Sequence, residues 1–278
     1  MHYGFVAWRP AALAWAVHFT EFPRCTYKAG GYRDRHRENP VSLTVMRVLV
    51  IDIGGSNVKF ALCGQRRRSV RSFPSGKRLT PRQMVKKVIE MTADWSYRAV
   101  SIGYPGPVMS GRTAGEPPNL GKGWVGYDFE GGFRKPVKII NDAAMQALGS
   151  YRGGRMLFVG LGTGLGSALI LDDVIVPLEL GDLSYSKGRL LFDVLGKEAL
   201  KANGRSKWEA SVHRVTERLA AAFRTDYLVI GGGNVKRIKQ MPAGTRRGSN
   251  HMAFLGGSRL WNPSTFHAKP KKHTWVIT

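Results

Sequence analysis

Residues Val48–Lys59 read VLVIDIGGSNVK, an apolar run that ends in an acidic residue and a pair of glycines. The run predicts a buried strand, and a carboxylate at the end of a strand can hold a hydrated divalent cation. Glycines let backbone N–H groups approach an anion closely, and the polar side chains that follow can donate hydrogen bonds to its oxygens. The predicted metal ligand is Asp52, and the predicted phosphate-binding residues are Gly54, Gly55, Ser56, Asn57 and Lys59.

This stretch is not a Walker loop, because no lysine follows a second glycine at the required spacing. A strand, a Gly-Gly turn and a second strand also form an ordinary hairpin. The stretch alone therefore leaves both interpretations open.

Two further glycine-rich turns follow predicted strands. The second turn is GTGLG, which lacks the GxGxxG spacing of a dinucleotide-binding fold, and the third is GGGN. Strand ends that face one cleft can present their backbone amides to successive phosphates. The residues predicted to bind phosphate in these turns are Gly162, Thr163, Gly164, Gly166, Gly231, Gly232, Gly233 and Asn234.

Asp142 is the candidate general base. It follows the apolar run Val137–Ile140 and precedes a predicted short helix, Ala143–Leu148, so we expect it to be fixed at the edge of a cleft. Phosphoryl transfer to an alcohol needs a carboxylate that accepts the hydroxyl proton. The alternative is a helix-capping role, which is common for Asp at a strand-to-helix junction.

Three other side chains can exchange hydrogen bonds with a small polar ligand: Asn119, Asn141 and Glu179. Gly106 lies in the stiff loop Gly103–Pro107, GYPGP, which can present backbone groups to such a ligand. Each of these residues can equally belong to an ordinary turn.

The order of predicted elements occurs twice along the chain. Strands at Arg47–Ile53, Val58–Leu62 and Arg66–Phe73 precede an alternation of helices and strands, and a second set begins at Met156–Leu161. This repetition predicts an α/β protein with two lobes and a cleft between them.

The predicted N-terminal lobe is 46–150 and the C-terminal lobe is 151–262. Capping boxes at Thr80–Gln83 and Ser206–Glu209 predict two helix starts. We expect residues 1–45 to be disordered or a non-native extension, and residues 263–278 to form a disordered tail.

Composition narrows the function classes. The 278 residues include 43 Lys and Arg against 19 Asp and Glu, which gives a formal net charge of +24. A field of this sign attracts polyanions, either nucleic acid or a long phosphate chain.

The two cysteines, Cys25 and Cys63, form no CxxC pattern, so a zinc cluster or disulfide framework is not expected and a reducing cytoplasm fits. No apolar run approaches the roughly 20 residues that span a bilayer, so no membrane partner is expected.

Seven motifs in this order resemble the ROK sugar kinases of the actin-like ATPase superfamily, and most closely their polyphosphate glucokinase branch. The motifs are DIGGSNVK, GYPGPV, PPNL with a later GW, NDAA, GLGTGLGS, LELG and VIGGGN. The resemblance covers roughly residues 46–261 and implies a two-lobed actin-like (ribonuclease H-like) fold, with a mixed sheet and flanking helices in each lobe.

The resemblance also implies residue roles. Asp142 would activate the 6-hydroxyl of a sugar, and Mg²⁺ would lie at Asp52. The implied sugar-binding residues are Gly106, Asn119, Asn141, Asp142, Glu179 and Asp182. Many family members have Glu-x-Gly-His, whereas this chain has Asp182 at the last position, and a carboxylate donates no hydrogen bond unless it is protonated. The identity of the sugar is therefore left open.

Together these observations predict a cytoplasmic kinase that uses Mg²⁺ and transfers a phosphoryl group from polyphosphate, ATP or both to glucose or a related hexose. The residues expected to guide a long polyanion are Arg66, Arg67, Arg68, Arg71, Lys77, Arg78, Lys86 and Lys87. The alternative is a non-catalytic sugar sensor or nucleic-acid-associated protein, against which the retained Asp52, Lys59 and Asp142 argue. Nucleic acid is not expected as a partner, and a homodimer is left open.

Overall fold

A computed structural model describes residues 46–64 and 69–261. The expectations for residues 1–45, for 263–278 and for Arg66, Arg67 and Arg68 concern residues outside these ranges.

The first half of the described chain builds one mixed sheet. Its elements are β1 (Val48–Ile53), β2 (Asn57–Cys63), β3 (Val70–Pro74), α1 (Pro81–Met91), β4 (Ala99–Tyr104), β5 (Val108–Met109), β6 (Arg112–Thr113), α2 (Phe129–Phe133), β7 (Val137–Asn141) and α3 (Asp142–Ser150). The sheet order is β3-β2-β1-β4-β7. β1 is antiparallel to β2 and parallel to β4, and β4 is parallel to β7, so the carboxyl ends of β1, β4 and β7 lie at one edge.

The second half builds a sheet of the same design. Its elements are β8 (Arg155–Leu161), β9 (Leu165–Leu171), β10 (Val174–Leu178), a 3-10 turn (Leu180–Asp182), β11 (Ser184–Ser186), β12 (Arg189–Leu190), α4 (Leu191–Leu195), α5 (Lys197–Phe223), β13 (Tyr227–Gly231), a second 3-10 turn (Gly233–Arg237), β14 (Thr245–Arg247) and α6 (Met252–Arg259). The sheet order is β10-β9-β8-β13-β14. The predicted mixed α/β architecture with a repeated strand pattern is thus confirmed.

Both faces of the first sheet are covered by helices. Leu49 and Ile51 of β1 face a core that includes residues of α1 and α2. Val48 and Val50 face the opposite core, which includes Met145 of α3 and residues of α6. Alternate residues of β1 therefore serve two cores, which explains why the run is apolar throughout.

Helix α3 also covers one face of the second sheet. Ala143, Ala144 and Ala147 pack in a core with Phe158 of β8 and Ala168 of β9. The other face of that sheet packs against α5. α3 is therefore a layer shared by both sheets.

The predicted helix start at Ser206 lies two residues after a break in α5. α5 begins at Lys197, so a helical segment before Ser206 was not predicted, and the helical conformation is interrupted at Gly204, which has φ 72°. The Glu209 carboxylate accepts hydrogen bonds from the backbone N–H groups of Lys239 and Gln240, both at 2.9 Å, because these residues lie beside the helix. In the described part of the chain β3 starts at Val70, and the predicted start of this strand at Arg66 lies outside the described residues.

The predicted capping box at the start of α1 is confirmed. Gln83 N–H donates to Thr80 Oγ1 at 3.3 Å, and Thr80 N–H donates to Gln83 Oε1 at 3.0 Å. None of the helices within the described ranges is both long and apolar enough to cross a bilayer.

Candidate active site

Asp52 lies at the carboxyl end of the central strand of the first sheet. It pairs in register with Lys59 on β2 and with Gly103 on β4. Adjacent strands are about 5 Å apart, so these three residues form one row. Since Val48 and Val50 face α3, Asp52 faces the same side of the sheet. Burial raises the pKa of Asp52 to about 6, and the charge of Lys59 opposes this rise.

The first glycine turn is tied to the end of β3. Gly54 N–H donates to the carbonyl of Asn57 at 3.0 Å, and the Ser75 hydroxyl donates to the Gly54 carbonyl at 2.7 Å. Ser75 N–H also donates to the Ser56 carbonyl at 3.0 Å. Gly55, Ser56 and Asn57 are exposed, so their polar groups remain accessible at the turn.

Asn119 lies over this turn. A Cβ added to Gly55 would be 3.6 Å from the Cβ of Asn119. The loop that carries Asn119 is held by Glu116, whose carboxylate accepts hydrogen bonds from the N–H groups of Gly123 at 3.1 Å and Trp124 at 3.2 Å. The structure therefore brings Asn119 next to the first predicted phosphate loop.

Asn141, not Asp142, caps the start of α3. Its Oδ1 accepts hydrogen bonds from the N–H groups of Ala143 at 3.0 Å and Ala144 at 3.1 Å, and its Nδ2 donates to the Gly106 carbonyl at 3.3 Å. Asp142 Oδ1 accepts from Ala143 N–H at 2.8 Å, which leaves its second carboxylate oxygen outside this bond. Because the cap is already filled by Asn141, the helix has no need of Asp142 as its cap.

Two glycines, which have no side chain, leave space for the first turn of α3 between the two sheets. A Cβ on Gly103 would be 3.5 Å from the Cα of Asp142, and a Cβ on Gly166 would be 2.7 Å from the Cβ of Ala143. Gly103 belongs to the row of Asp52, and Gly166 closes the second glycine turn. Asp142 therefore lies between Asp52 and that turn.

Burial and two neighbouring carboxylates control the charge of Asp142. Burial raises its pKa most, the charges of Asp52 and Glu179 raise it further, and the pKa reaches about 7. The hydrogen bond from Ala143 N–H acts in the opposite direction. A carboxylate with a pKa near neutrality suits general-base catalysis at neutral pH.

The second and third glycine turns are joined to each other. Asn234 Nδ2 donates to the Gly162 carbonyl at 3.0 Å, and Gly162 N–H donates to the Gly164 carbonyl at 3.1 Å. Gly232 has φ 80° and lies directly against the backbone of Leu161, so no larger residue fits there. Thr163 and Gly233 are exposed at the surface of the two turns, and Gly231 is buried at the end of β13.

Glu179 is positioned by a buried serine. The Ser167 hydroxyl donates to the Leu178 carbonyl at 2.8 Å and accepts from Leu180 N–H at 3.1 Å, so it fixes the residues on both sides of Glu179. Asp182 N–H donates to the Glu179 carbonyl at 3.2 Å. Burial, followed by the charge of Asp182, raises the pKa of Glu179. The exposed Asp182 is thus close to Glu179, and Glu179 is close enough to affect Asp142.

Asp52 fits the chemistry of a magnesium ligand. Mg²⁺ is usually held by one or two carboxylates together with water and substrate phosphate oxygens, so it needs no cage of protein ligands. Within the described ranges no group of three or more His, Cys, Asp or Glu side chains is arranged to hold a metal ion. Asp52 beside the first glycine turn would provide one carboxylate to a bound Mg²⁺, and phosphate and water would supply its other ligands.

Other features of the surface contribute less to this site. A cavity of about 580 Å³ is lined by residues such as Tyr127, Lys138 and Leu260, and it contains none of the predicted site residues. Of the predicted polyanion track, Arg71 is already paired with Asp94 at 2.6 Å. The surroundings of Asp142, which hold the predicted site residues, are therefore the candidate site.

Sequence reasoning missed the supporting residues Ser75, Glu116 and Ser167. Each is a single polar residue within an ordinary turn or strand, and its role depends on a distant backbone group. No motif signals such a residue. The helix α6 was also missed, although the apolar run MAFLGG between two polar stretches is a weak helix signal.

Comparisons with known proteins agree with this architecture. Residues 48–177 match the ROK family. A polyphosphate glucokinase of Mycobacterium tuberculosis is 29% identical over 232 residues, which cover 70% of this chain and 81% of that protein. Among solved structures, the inorganic polyphosphate/ATP-glucomannokinase of Arthrobacter sp. strain KM has a TM-score of 0.66 at 24% identity, covering 77% of this chain and 98% of that one. A ROK family glucokinase of Streptomyces griseus, solved with glucose and AMPPNP, has a TM-score of 0.61 at 17% identity over the same shares. These structural similarities establish the actin-like ATPase fold.

Proposed function

We propose that this chain, which carries a ROK family domain, is a sugar kinase that transfers a phosphoryl group to a hydroxyl of a hexose. The observation that carries the proposal is the position of Asp142 between the row of Asp52 and the second glycine turn. A phosphoryl donor on the glycine turns and a sugar beside Asp142 would meet at this point.

The proposed reaction transfers one proton and one phosphoryl group. Asp142 accepts the proton of the sugar 6-hydroxyl, and to do so its carboxylate must lie within about 2.6–3.2 Å of that oxygen. A new bond then forms between the sugar oxygen and the terminal phosphorus of the donor, while the bond from that phosphorus to the bridging oxygen breaks. Bound Mg²⁺ would offset the negative charge of the phosphate oxygens.

The glycine turns and polar side chains hold the two substrates. Backbone N–H groups of the turns, together with Ser56, Asn57 and Lys59, bind the phosphates of the donor. On the acceptor side, hydroxyls of the ring donate to Glu179 and exchange hydrogen bonds with Asn119. We propose glucose as the acceptor because the 29% identical relative is a polyphosphate glucokinase, and polyphosphate, ATP or both as donor for the same reason.

A coupled assay of hexose 6-phosphate formation tests the proposal. Asp142→Asn should lower kcat at least about 100-fold while the chain stays folded. Asp128→Asn is the matched control, because Asp128 caps α2 through Gly131 N–H and asparagine caps a helix equally well. Retention of turnover in Asp142→Asn would show that Asp142 is not the base.

A donor panel resolves the phosphate source. Polyphosphate bound along basic residues should give rates that rise with chain length and fall with ionic strength. ATP turnover should depend much less on salt. Absence of product from both donors, together with a gel shift of nucleic acid at physiological salt, would favour the binding-protein alternative that the charge of +24 suggests.

A further inference from the structure

We propose that Arg259 is a positioning residue for Asp142, which it holds in place through helix α3. Arg259 is the last residue of α6 and contacts the carboxyl end of α3, whereas Asp142 is the first residue of α3. The proposal rests on the function proposed above, since it assigns Arg259 an effect on the reaction at Asp142.

The Arg259 guanidinium caps the carboxyl end of α3. Its Nη1 is 2.5 Å from the carbonyl oxygen of Leu148, 3.3 Å from that of Gly149 and 3.2 Å from that of Tyr151. The last carbonyls of a helix have no partner within the helix, and a cation there also interacts favourably with the helix dipole. Burial and the charge of Arg152 lower the pKa of Arg259, so the cation lies where a charge is costly.

α6 cannot slide along α3. A Cβ on Gly149 would be 2.7 Å from the backbone carbonyl carbon of Met252, and a Cβ on Gly256 would be 2.9 Å from the backbone nitrogen of Gly149. Backbone therefore touches backbone where the helices cross. This crossing blocks sliding of one helix along the other, whereas tilting about it is opposed by contacts further out, among them those of Arg259 with the end of α3.

α6 is also attached to the strands of the first sheet. The Ser101 hydroxyl of β4 donates to the Gly257 carbonyl at 2.6 Å, and Trp261 Nε1 donates to the Ser101 hydroxyl at 2.9 Å. Gly257 itself lies against Val50 of β1. These are the two strands that carry Asp52 and Gly103, so Arg259 connects α3 to the sheet that holds the other half of the site.

The consequence for Asp142 follows from the length of the helix. α3 has nine residues and is about 13 Å long, so it acts as a short rigid rod. If its carboxyl end is released, the rod can tilt about its crossing with α6, near Gly149 and Met145, and move Asp142 relative to Asp52. A displacement of about 1 Å at a reacting group can lower turnover about 100-fold.

The kinetic test compares substitutions of Arg259 in the full chain. Arg259→Met should lower kcat about 10-fold to 100-fold and leave the KM for donor within about twofold, because the predicted donor-binding residues lie outside α3. Arg259→Lys should be intermediate, since lysine keeps the charge but not the planar fork of donors. In Arg259→Ala, added methylguanidinium should restore part of kcat.

Two control variants separate positioning from lost charge and lost stability. Arg246→Met removes an exposed cation that stacks on Tyr227, 4.4 Å from the ring centroid, and should leave kcat unchanged. Leu219→Ala opens the core between α5 and the second sheet and should lower the unfolding midpoint without lowering kcat. A fall of kcat in Leu219→Ala equal to that in Arg259→Met would overturn the proposal.

A measurement without turnover completes the test. In Arg259→Met, the amides of Ala143 and Ala144 should exchange with solvent faster than in the unchanged chain, although they lie at the far end of α3. Faster exchange there supports the proposal even if the unchanged chain transfers no phosphoryl group, an outcome that would defeat only the proposed function. Unchanged exchange at Ala143 and Ala144, or unchanged kcat in Arg259→Met, overturns it.

Discussion

A methyl group added to Gly166 should displace the proposed base. In Gly166→Ala the new Cβ would lie 2.7 Å from the Cβ of Ala143, the residue that follows Asp142. Ordinary carbon–carbon contacts are about 3.5–4.0 Å long, so the two groups must separate by at least ~0.8 Å. Gly166 is paired with Gly160 of β8, so we expect the first turn of α3 to be the part that moves.

This displacement has two measurable effects. A shift of about 1 Å at Asp142 should lower kcat about 100-fold, which corresponds to an increase of about 2.7 kcal/mol in the activation barrier. Overpacking of a filled core should also lower the free energy of unfolding by about 1–3 kcal/mol.

The double variant Gly166→Ala with Ala143→Gly provides the matched control. It moves the methyl group from the helix to the strand and keeps the total number of carbon atoms. Kinetics of hexose 6-phosphate formation and urea unfolding should show most of the lost activity and stability restored, apart from about 1 kcal/mol for glycine in a helix. The coupling energy of this cycle should be favourable and between about 0.5 and 3 kcal/mol.

Two results would refute the reasoning. A Gly166→Ala variant with unchanged kcat would show that the contact with Ala143 does not position Asp142. A double variant as impaired as the single one would show that the loss comes from the glycine turn itself, and the turn would then need glycine for its backbone or for the donor.

Three further outcomes are expected near this site. The pKa of Asp142 is about 7 in the folded state, above its unfolded value of about 3.9. The resulting contribution of Asp142 to the free energy of unfolding is therefore fully present below about pH 4 and is lost as the pH rises to about 7. Asp142→Asn should flatten the pH dependence of urea unfolding between these two pH values. Glu179→Gln removes a charge that raises the pKa of Asp142, so a carboxyl titration followed by NMR should show this pKa lowered; an unchanged value would place Glu179 too far away to act. Ser167→Ala leaves the Leu178 carbonyl and the Leu180 N–H without their hydroxyl partner. The free energy of unfolding should therefore fall by about 1–3 kcal/mol, and the KM for sugar should rise. A rise in the KM for donor alone would contradict this role of Ser167.

The architecture could be predicted from the sequence because hydrophobic patterning is local. The run before Asp52 and the alternation in β2 gave both strands, and the capping box at Thr80 gave the start of α1. The helical segment of α5 before the break at Gly204 was missed, and the capping-box spacing of Ser206 and Glu209 does not show that the Glu209 carboxylate binds the neighbouring loop. Local spacing cannot reveal a competing partner that is distant in the sequence.

The candidate site could be predicted only in part. The sequence named Asp142 as base but left capping open, and the structure assigns the cap to Asn141 through two backbone hydrogen bonds. Neither the order of the motifs nor their spacing shows that Asn119 lies over Gly55. The contacts of Arg259 with the end of α3 depend on tertiary packing, and nothing near this residue in the sequence indicates them.

The glycines of these motifs meet two different physical needs. Gly232 has a positive φ and needs glycine for its backbone conformation. Gly103 and Gly166 are not among the residues with positive φ, and they need glycine because α3 comes close on both sides. Some glycines of motifs that were interpreted as anion-binding turns therefore leave room for α3, the helix that carries Asp142. Substitutions should distinguish these two needs. The crowding caused by a larger residue at Gly166 can be relieved by a smaller residue on α3, whereas the backbone strain of a positive φ at Gly232 cannot.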